Sequence, residues 1–410
     1  MNTLYNISAH ITYFALTVYG VFNKKINLFI KGRKETFHKL SVISKKDKVI
    51  WFHVASLGEF EQARPIIENV KQEYTKHKIV VTFFSPSGYE IRKNYELADV
   101  VCYLPFDTKN NVKRFLEAIH PELAIIIKYE FWPNLLKELK IKSIQTILVS
   151  GIFRENQLFF KNSGKWMRNS LKAFDYFFLQ NQKSKELLSS INFENTTVVG
   201  DTRFDRVSKI VEQDNSIDFI ERFKNNQHTV VAGSTWKDDE ELLVNYINNS
   251  SNEKFIIAPH SIDENEIQQL KKAISKKVVL FSEDKKELSI YDVFIVDTIG
   301  MLTKIYSYAD VVYVGGGFKT GLHNILEPAT FGVPVIIGPK YDKFQEAVDL
   351  VHLKGVISVN NQQEFSGSLN KMKEDEGFRN ETGKINNNYI QNNKGATDKV
   401  MKYINKNIKN

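Results

Sequence analysis

Short apolar runs recur along most of this 410-residue chain, separated by stretches whose apolar positions fall three and four residues apart. Strands buried on both faces read as continuous apolar runs, and helices that cover them carry the longer period, so the pattern predicts parallel α/β folding. The first series of predicted strands is Val49–Val54, Ile79–Phe84, Val100–Leu104, Leu123–Lys128, Ser143–Val149, Tyr176–Leu179 and Thr197–Val199. A charged, turn-rich stretch from Asp205 to Gln227 reads as the linker region. The second series is Thr229–Ala232, Phe255–Ala258, Val278–Phe281, Val293–Val296, Val311–Val314 and Val333–Ile337. Two such halves predict two Rossmann-like domains facing a cleft, residues 25–207 and 208–410, behind a separate segment at 1–24. After Asn360 the chain is rich in Asn, Lys, Glu and Gln, which predicts surface helices with fraying last residues.

The N-terminal segment departs from this pattern. Met1 to Asn23 holds no Asp, Glu, Lys or Arg, is rich in aromatics, and is followed by Lys24, Lys25, Lys31, Arg33 and Lys34. A signal peptide carries its positive charge before the apolar run, not after it. Asn6, Ser8, His10 and Thr12 weaken a transmembrane span, which needs about 20 mostly apolar residues. An interfacial helix with lysines on anionic headgroups fits better, and a buried first helix of the domain is the plainer alternative.

Composition adds a few limits. At 42% hydrophobic and 25% charged the chain is an ordinary globular one. Its single cysteine, Cys102, excludes an internal disulfide framework and sits in an apolar run, as a buried thiol would. The net charge of +8 suits anionic lipid or a phosphorylated substrate. No basic stripe with interleaved aromatics is present, so no nucleic acid partner is expected.

Candidate chemistry gathers where predicted strands end. Val311–Val314 runs into Gly315, Gly316 and Gly317, followed by a turn and an expected short helix carrying His323, Asn324 and Glu327. Glycines at the carboxyl end of a strand allow backbone N–H groups to approach a phosphate, and a carboxylate further along suits ribose hydroxyls. Triple glycine also makes ordinary turns. In the first half, Ser56, Gly58 and Glu59 follow the first strand, with Glu59 in the first turn of a helix. There the helix dipole favours the ionised carboxylate, ready to accept a proton from a hydroxyl; a plain helix cap is the alternative. Ser85 and Ser87 follow the second strand. Glu130, with Phe131 and Trp132, follows the fourth, where the aromatics line an acceptor cleft or pack the core. Asp238 to Glu241 reads as a solvated first helical turn. No Asp-x-Asp element or His/Cys/Asp spacing suggests a metal, and no cofactor is expected.

HVASLGEFEQARPII, TFFSPSGYE, YLPFD, KYEFWPNLL, GDTRFD, AGSTWKDDEE, VDTIGML and GGGFKTGLHNILEPATFGVPVIIGP occur in this order. In this the chain resembles the bacterial 3-deoxy-D-manno-octulosonic acid (Kdo) transferases over roughly residues 1 to 360. The resemblance implies a glycosyltransferase-B fold and an N-terminal helix associated with the inner membrane. It implies further that Glu59 is the general base toward the acceptor hydroxyl and that Glu130 matches the second Glu of a Glu-Thr-Glu-Leu-Trp-Pro-Asn element, with Lys128 in place of the first. Arg203 lies where the family has a lysine facing the departing phosphate. Pro259 and His260 stand for the family's Pro-Arg pair at the cytidine monophosphate. Ile299, Gly300 and Met301 correspond to a donor-contacting turn, Met301 replacing a Glu. Asn324, Ile325, Leu326 and Glu327 match the remaining donor element.

The implied reaction is metal-independent and inverting. A hydroxyl of a lipid A precursor (lipid IVA) attacks the anomeric carbon of CMP-Kdo, in lipopolysaccharide core biosynthesis. Gly315 to Gly317, the helix at Asn324 and Arg203 would face the leaving phosphate, and Ser56, Gly58, Ser85 and Ser87 the acceptor. The expected partners are CMP-Kdo, the lipid A precursor and the anionic surface of the inner membrane, on its cytoplasmic face. A nucleotide-sugar epimerase on the same scaffold is the alternative activity, and a non-catalytic membrane-associated protein of the same fold is a third reading.

Overall fold

Each apolar series builds one seven-stranded sheet in the computed structural model, which describes residues 2–408 apart from 284 and 320. The first sheet comprises β1 (Lys48–Val54), β2 (His77–Phe83), β3 (Val100–Tyr103), β4 (Leu123–Ile127), β5 (Gln145–Gly151), β6 (Tyr176–Leu179) and β7 (Thr196–Val198). Its spatial order is β3-β2-β1-β4-β5-β6-β7, with every pairing parallel. The second sheet comprises β8 (Thr229–Thr235), β9 (Lys254–Pro259), β10 (Val278–Leu280), β11 (Val293–Ile295), β12 (Val311–Val314), β13 (Val335–Ile337) and β14 (Val356–Ser358). Its order is β10-β11-β9-β8-β12-β13-β14, again all parallel.

Burial on both faces explains the unbroken apolar runs. Along β1, Ile50, Phe52 and Val54 join one core cluster, while Val49 and Trp51 join the cluster on the other face. His53 sits fully buried in the same strand, and its ring nitrogens are taken up by Thr82 and Glu130.

Strand ends differ from expectation where single residues forbid the ladder. Ser143 takes a left-handed φ of 52°, so β5 starts two residues later than expected. Pro334 has no N–H to donate, and β13 starts after it. The short β14 was not foreseen; Val356 is its one fully apolar-facing, buried residue.

The chain divides into two compact units, Met1–Arg206 with Lys394–Asn410, and Val207–Asn393. The expected second domain at 208–410 thus loses its last residues to the first unit. The helix Ala396–Asn407 lays Val400, Met401 and Ile404 on the core cluster of the first sheet. Asp205 secures its start, accepting the Thr397 N–H at 2.7 Å and the Thr397 hydroxyl at 2.7 Å. The stretch expected as a linker carries a helix, Asp218–Lys224, that buries Ile220 and Phe223. Cys102 is buried, which pushes its thiol up to about 12.

The uncharged N-terminal segment is a helix, Asn2–Tyr19. Its Leu4, Ile7, Ile11, Phe14 and Val18 are all exposed, at spacings that place them along one face. Among the described residues no helix is long and apolar enough to cross a membrane.

Candidate active site

Strand order picks out one crevice in each sheet. Ligands of open parallel sheets bind beyond the carboxyl ends of the strands where the order reverses. In the first sheet that point lies between β1 and β4, and in the second between β8 and β12. Each unit therefore presents one half-site.

In the first unit, the chain leaves β1 at Val54 and enters the helix Leu57–Glu73, with Ser56 in extended backbone as its N-cap. Glu59 falls in the first helical turn and is 7% exposed. The Ser56 hydroxyl donates to its Oε2, and Lys128 Nζ lies 3.5 Å from its Oε1. Lys128 follows β4 directly and adopts a left-handed φ of 71°, an uncommon conformation for a side chain of this size. The carboxylate is thus fixed from both sides of the switch point. A Cβ on Gly58 would meet only Ser56 Oγ, at 3.9 Å, so the space above this helix start is open.

Ser85 and Ser87 lie beside it. Ser85 caps the helix Pro86–Arg92, and its hydroxyl is 2.9 Å from that of Ser87. A Cβ on Gly88 would fall 2.7 Å from the carbonyl carbon of Ser56, so only glycine permits this turn to lie against the β1 loop.

Glu130 is buried two residues beyond Lys128. His53 Nε2 lies 3.3 Å from its Oε2, and Trp132 Nε1 donates to the same oxygen at 2.8 Å. Burial alone would raise this carboxyl, but the His53 and Trp132 donors outweigh it and hold the group below the usual range. The line continues inward: Trp51 Nε1 donates to Thr82 Oγ1 at 2.8 Å, and that hydroxyl is 2.9 Å from His53 Nδ1. Thr82 thus meets Nδ1 of His53 through both its hydroxyl and its carbonyl oxygen, while Nε2 faces Glu130.

Arg203 is engaged rather than bare. Its Nε donates to Asp201 Oδ2 at 3.0 Å, and Gln62, one turn after Glu59, donates to the same oxygen at 2.9 Å. Asp201 is fully buried; burial would raise its carboxyl, and Arg203 more than reverses this. The guanidinium is thereby tied to the helix that carries Glu59.

In the second unit, β8 ends at Thr235 and Trp236 follows as the N-cap of the helix Lys237–Asn249. Pro259 closes β9, and the His260 ring stacks on Trp236 with centroids 4.4 Å apart. His323 lies beside Trp236, nearly coplanar with it, stacks on His260 at 4.5 Å and accepts a hydrogen bond from Trp236 Nε1 at 3.0 Å. Burial and the neighbouring His260 lower His323 to about 4, and burial lowers His260 as well. Both rings are therefore neutral at pH 7, so His260 contributes a flat face and no positive charge.

The three glycines have a packing role that sequence did not reveal. The Gly315 N–H donates to Gly233 O at 3.0 Å and the Gly316 N–H to Asp239 Oδ2 at 2.9 Å, so neither is available to a phosphate. A Cβ on Gly315 would lie 2.4 Å from Ser234 O, and one on Gly317 2.7 Å from Gly338 N. The loops meet too closely for any side chain. Asp239, expected in a solvated turn, is buried and also accepts from Tyr313 Oη at 2.5 Å and Trp236 N at 2.9 Å.

The expected helix through His323, Asn324 and Glu327 is shorter, Leu326–Thr330. Asn324 Oδ1 takes the Leu326 N–H at 3.1 Å, so the helix begins only after it. Asn324 Nδ2 donates to Glu327 Oε1 at 3.2 Å and Thr303 Oγ1 to Oε2 at 2.7 Å, while Ile325 and Leu326 are buried beneath. Ile299, by contrast, is 86% exposed, and Gly300 has a φ of +101° with nothing near its Cβ position. The Ile299–Met301 turn is open at Ile299 and Gly300, two residues before Thr303 meets Glu327. Trp236, Asp239 and Thr303 were not picked out as site residues; Trp and Thr carry no spacing signal of their own.

A cavity of about 570 Å³ opens beside Trp236 and Pro259, with Glu240, Glu241 and Glu266 in its wall. Lys237 also lines it, so the cavity wall carries both signs of charge. Among the described residues no three His, Cys, Asp or Glu side chains come together as metal ligands.

Residues 31–206 match the family model for 3-deoxy-D-manno-octulosonic-acid transferase (kdotransferase). A 3-deoxy-D-manno-octulosonic acid transferase of Chlamydophila psittaci is 30% identical over 304 residues, covering 71% of this chain and 69% of that protein. The chain belongs to the Kdo transferase family. It is accordingly a Kdo glycosyltransferase, an enzyme of lipopolysaccharide biosynthesis. A bifunctional glycosyltransferase/methyltransferase of Fusobacterium nucleatum is 28% identical across 97% of this chain, which spans 63% of that longer protein. Among solved structures, UDP-GlcNAc 2-epimerase from Neisseria meningitidis aligns with a TM-score of 0.61, covering 88% of this chain and all of that one. At 16% identity this likeness shows the fold alone, the glycosyltransferase-B class, and gives the epimerase reading no functional support.

Proposed function

We propose that this Kdo transferase moves Kdo from CMP-Kdo to a hydroxyl of a lipid A precursor, with Glu59 as general base. The observation that carries the assignment is the Glu59 carboxylate itself, fixed by Ser56 and Lys128 at the switch point of the first sheet, beneath the open space at Gly58. The acceptor oxygen attacks the anomeric carbon as its proton passes to Glu59. The bond to the phosphate oxygen breaks, and CMP departs with the bonding electrons. A single displacement of this kind inverts the anomeric centre.

On the donor side, the neutral Trp236–His260–His323 stack supplies a flat aromatic surface of the kind a pyrimidine base favours. Glu327, oriented by Asn324 and Thr303, suits ribose hydroxyls. Since the Gly315 and Gly316 N–H groups are engaged internally, the departing phosphate depends more on side-chain cations, Arg203 among them. Held by Asp201, that cation is restricted to one position, which favours stabilising a charge that develops there. The exposed apolar face of the first helix, with the lysines after it, fits attachment to the anionic cytoplasmic face of the inner membrane, where a lipid acceptor resides. Nucleic acid has no place in this reading.

The test is transfer from CMP-Kdo to a tetra-acylated lipid A precursor, followed by mass spectrometry. Wild type is expected to add Kdo with or without EDTA, and Glu59→Gln to lower kcat by about 10²–10⁴-fold. Folded wild-type protein that forms no product would refute the assignment of substrates. Full activity in Glu59→Gln would refute the base.

A further inference from the structure

The first helix leaves a groove between itself and the body of its own unit. The groove has a volume of about 230 Å³, and Ala9, Leu16, Phe84, Leu104, Phe106 and Trp132 supply most of its apolar wall. Polar pins hold the helix in place above it. Tyr5 Oη donates to the buried Asp107 at 2.7 Å, and Asn134 Nδ2 donates to Asn6 Oδ1 at 2.9 Å. Asp107 in turn accepts the N–H groups of Asn134 and Leu135, at 3.0 and 2.9 Å. Tyr13 meets Phe106 with ring centroids 5.2 Å apart. The helix is therefore a fixed wall rather than a loose arm.

The groove adjoins the first half-site through two rings. Phe84 and Trp132 stack with centroids 4.7 Å apart. Phe84 immediately precedes Ser85, in the loop whose backbone is bonded to Val54 and Ala55 next to Ser56. Trp132 donates its indole N–H to Glu130. The same two residues thus line the groove and are joined to the polar loops of the half-site behind. On its other side the helix exposes the apolar row from Leu4 to Val18. The largely apolar groove thus lies between an apolar outer face of the helix and the loops of a polar half-site.

We propose that this groove takes one acyl chain of the lipid acceptor and so orients its sugar hydroxyl toward Glu59. This rests on the acceptor reading given above. The continuity of the groove with the Ser85 and Glu130 loops singles out a chain covalently attached to the reacting headgroup, rather than a free hydrocarbon surface. Affinity then depends on chain length, by about fourfold for each methylene withdrawn from water.

Two measurements test it on the full-length protein. The first is the ratio of KM for the fully deacylated lipid A disaccharide to KM for the tetra-acylated precursor, in wild type and in Ala9→Trp, which fills the groove. The ratio is expected to fall at least tenfold in the variant; an unchanged ratio overturns the proposal. The second needs no turnover and no folded variant at Ala9. A fatty acid brominated on its chain is titrated below its micelle concentration, and quenching of Trp132 is taken as the difference between wild type and Trp132→Phe. Saturable quenching of that component is expected, and its absence overturns the proposal. Saturable quenching without transfer to either acceptor would uphold the groove and refute the transfer reading instead. Transfer to both acceptors with no Trp132 quenching would do the reverse.

Discussion

Asp238 and Asp239 are adjacent acids in one run, yet replacing each by alanine is expected to have very unequal consequences. Asp238 pairs with Lys319, whose side chain is 70% exposed, and an exposed pair of this kind is screened by water and contributes little. Asp239 is 1% exposed and accepts three hydrogen bonds, from Tyr313 Oη, Gly316 N and Trp236 N. Asp239→Ala leaves all three donors without a partner. At about 1–3 kcal/mol for each buried donor left unsatisfied, and with some relief from relaxation, the loss is about 3–6 kcal/mol. That is a large part of the ~5–15 kcal/mol that holds a typical domain folded. Asp239→Asn should fall between, since its Oδ1 can still accept both N–H groups while its amide donates to the Tyr313 oxygen. Urea denaturation followed by tryptophan fluorescence reads the difference, through Trp236 at the start of this helix. The midpoint of the second unit should drop sharply in Asp239→Ala and barely move in Asp238→Ala. Equal midpoints for the two alanine variants would refute the latch.

Three further outcomes follow from the same structure. His323 is lowered to about 4 by burial and by His260, so below its ordinary value the folded state binds fewer protons than the unfolded one. Its contribution is complete above about pH 6.5 and is lost as pH falls toward 4. After discounting for partial exposure the loss is about 1–2 kcal/mol; a stability profile no steeper in wild type than in His323→Gln would count against it. Gly58→Ala is expected to raise stability by about 0.5–1 kcal/mol, because the added Cβ meets only Ser56 Oγ at 3.9 Å, while lowering transfer by intruding on the space above Glu59; unimpaired kcat/KM would remove the acceptor from that space. Removing residues 1–22 is expected to abolish sedimentation with anionic vesicles, and undiminished binding would show that the first helix is not the attachment.

Much of this was written into local sequence. Strands buried on both faces are apolar at most positions, so the two series of runs marked thirteen of the fourteen strands among the described residues, and only the three-residue β14 escaped. Strand ends marked the half-sites for a related reason, since polar residues inside the sheet, such as His53, need buried partners, while Ser56, Glu59 and Glu130 sit where the sheet stops. The uncharged first segment, followed by lysines, likewise pointed to an interfacial helix, and the exposed apolar face emerged only in the fold. What sequence could not carry was the set of partners. Asp239 reads like Asp238 until Tyr313 and Gly316, more than seventy residues away, are brought onto it. Arg203 reads as a bare cation until Asp201 and Gln62 converge, and Gly315 to Gly317 read as a phosphate loop until Gly233 and Gly338 approach. The return of the last helix to the first sheet is equally non-local. Hydrophobic period depends on the residue and its near neighbours. Hydrogen-bond satisfaction and close approach depend on residues that only the folded chain places together.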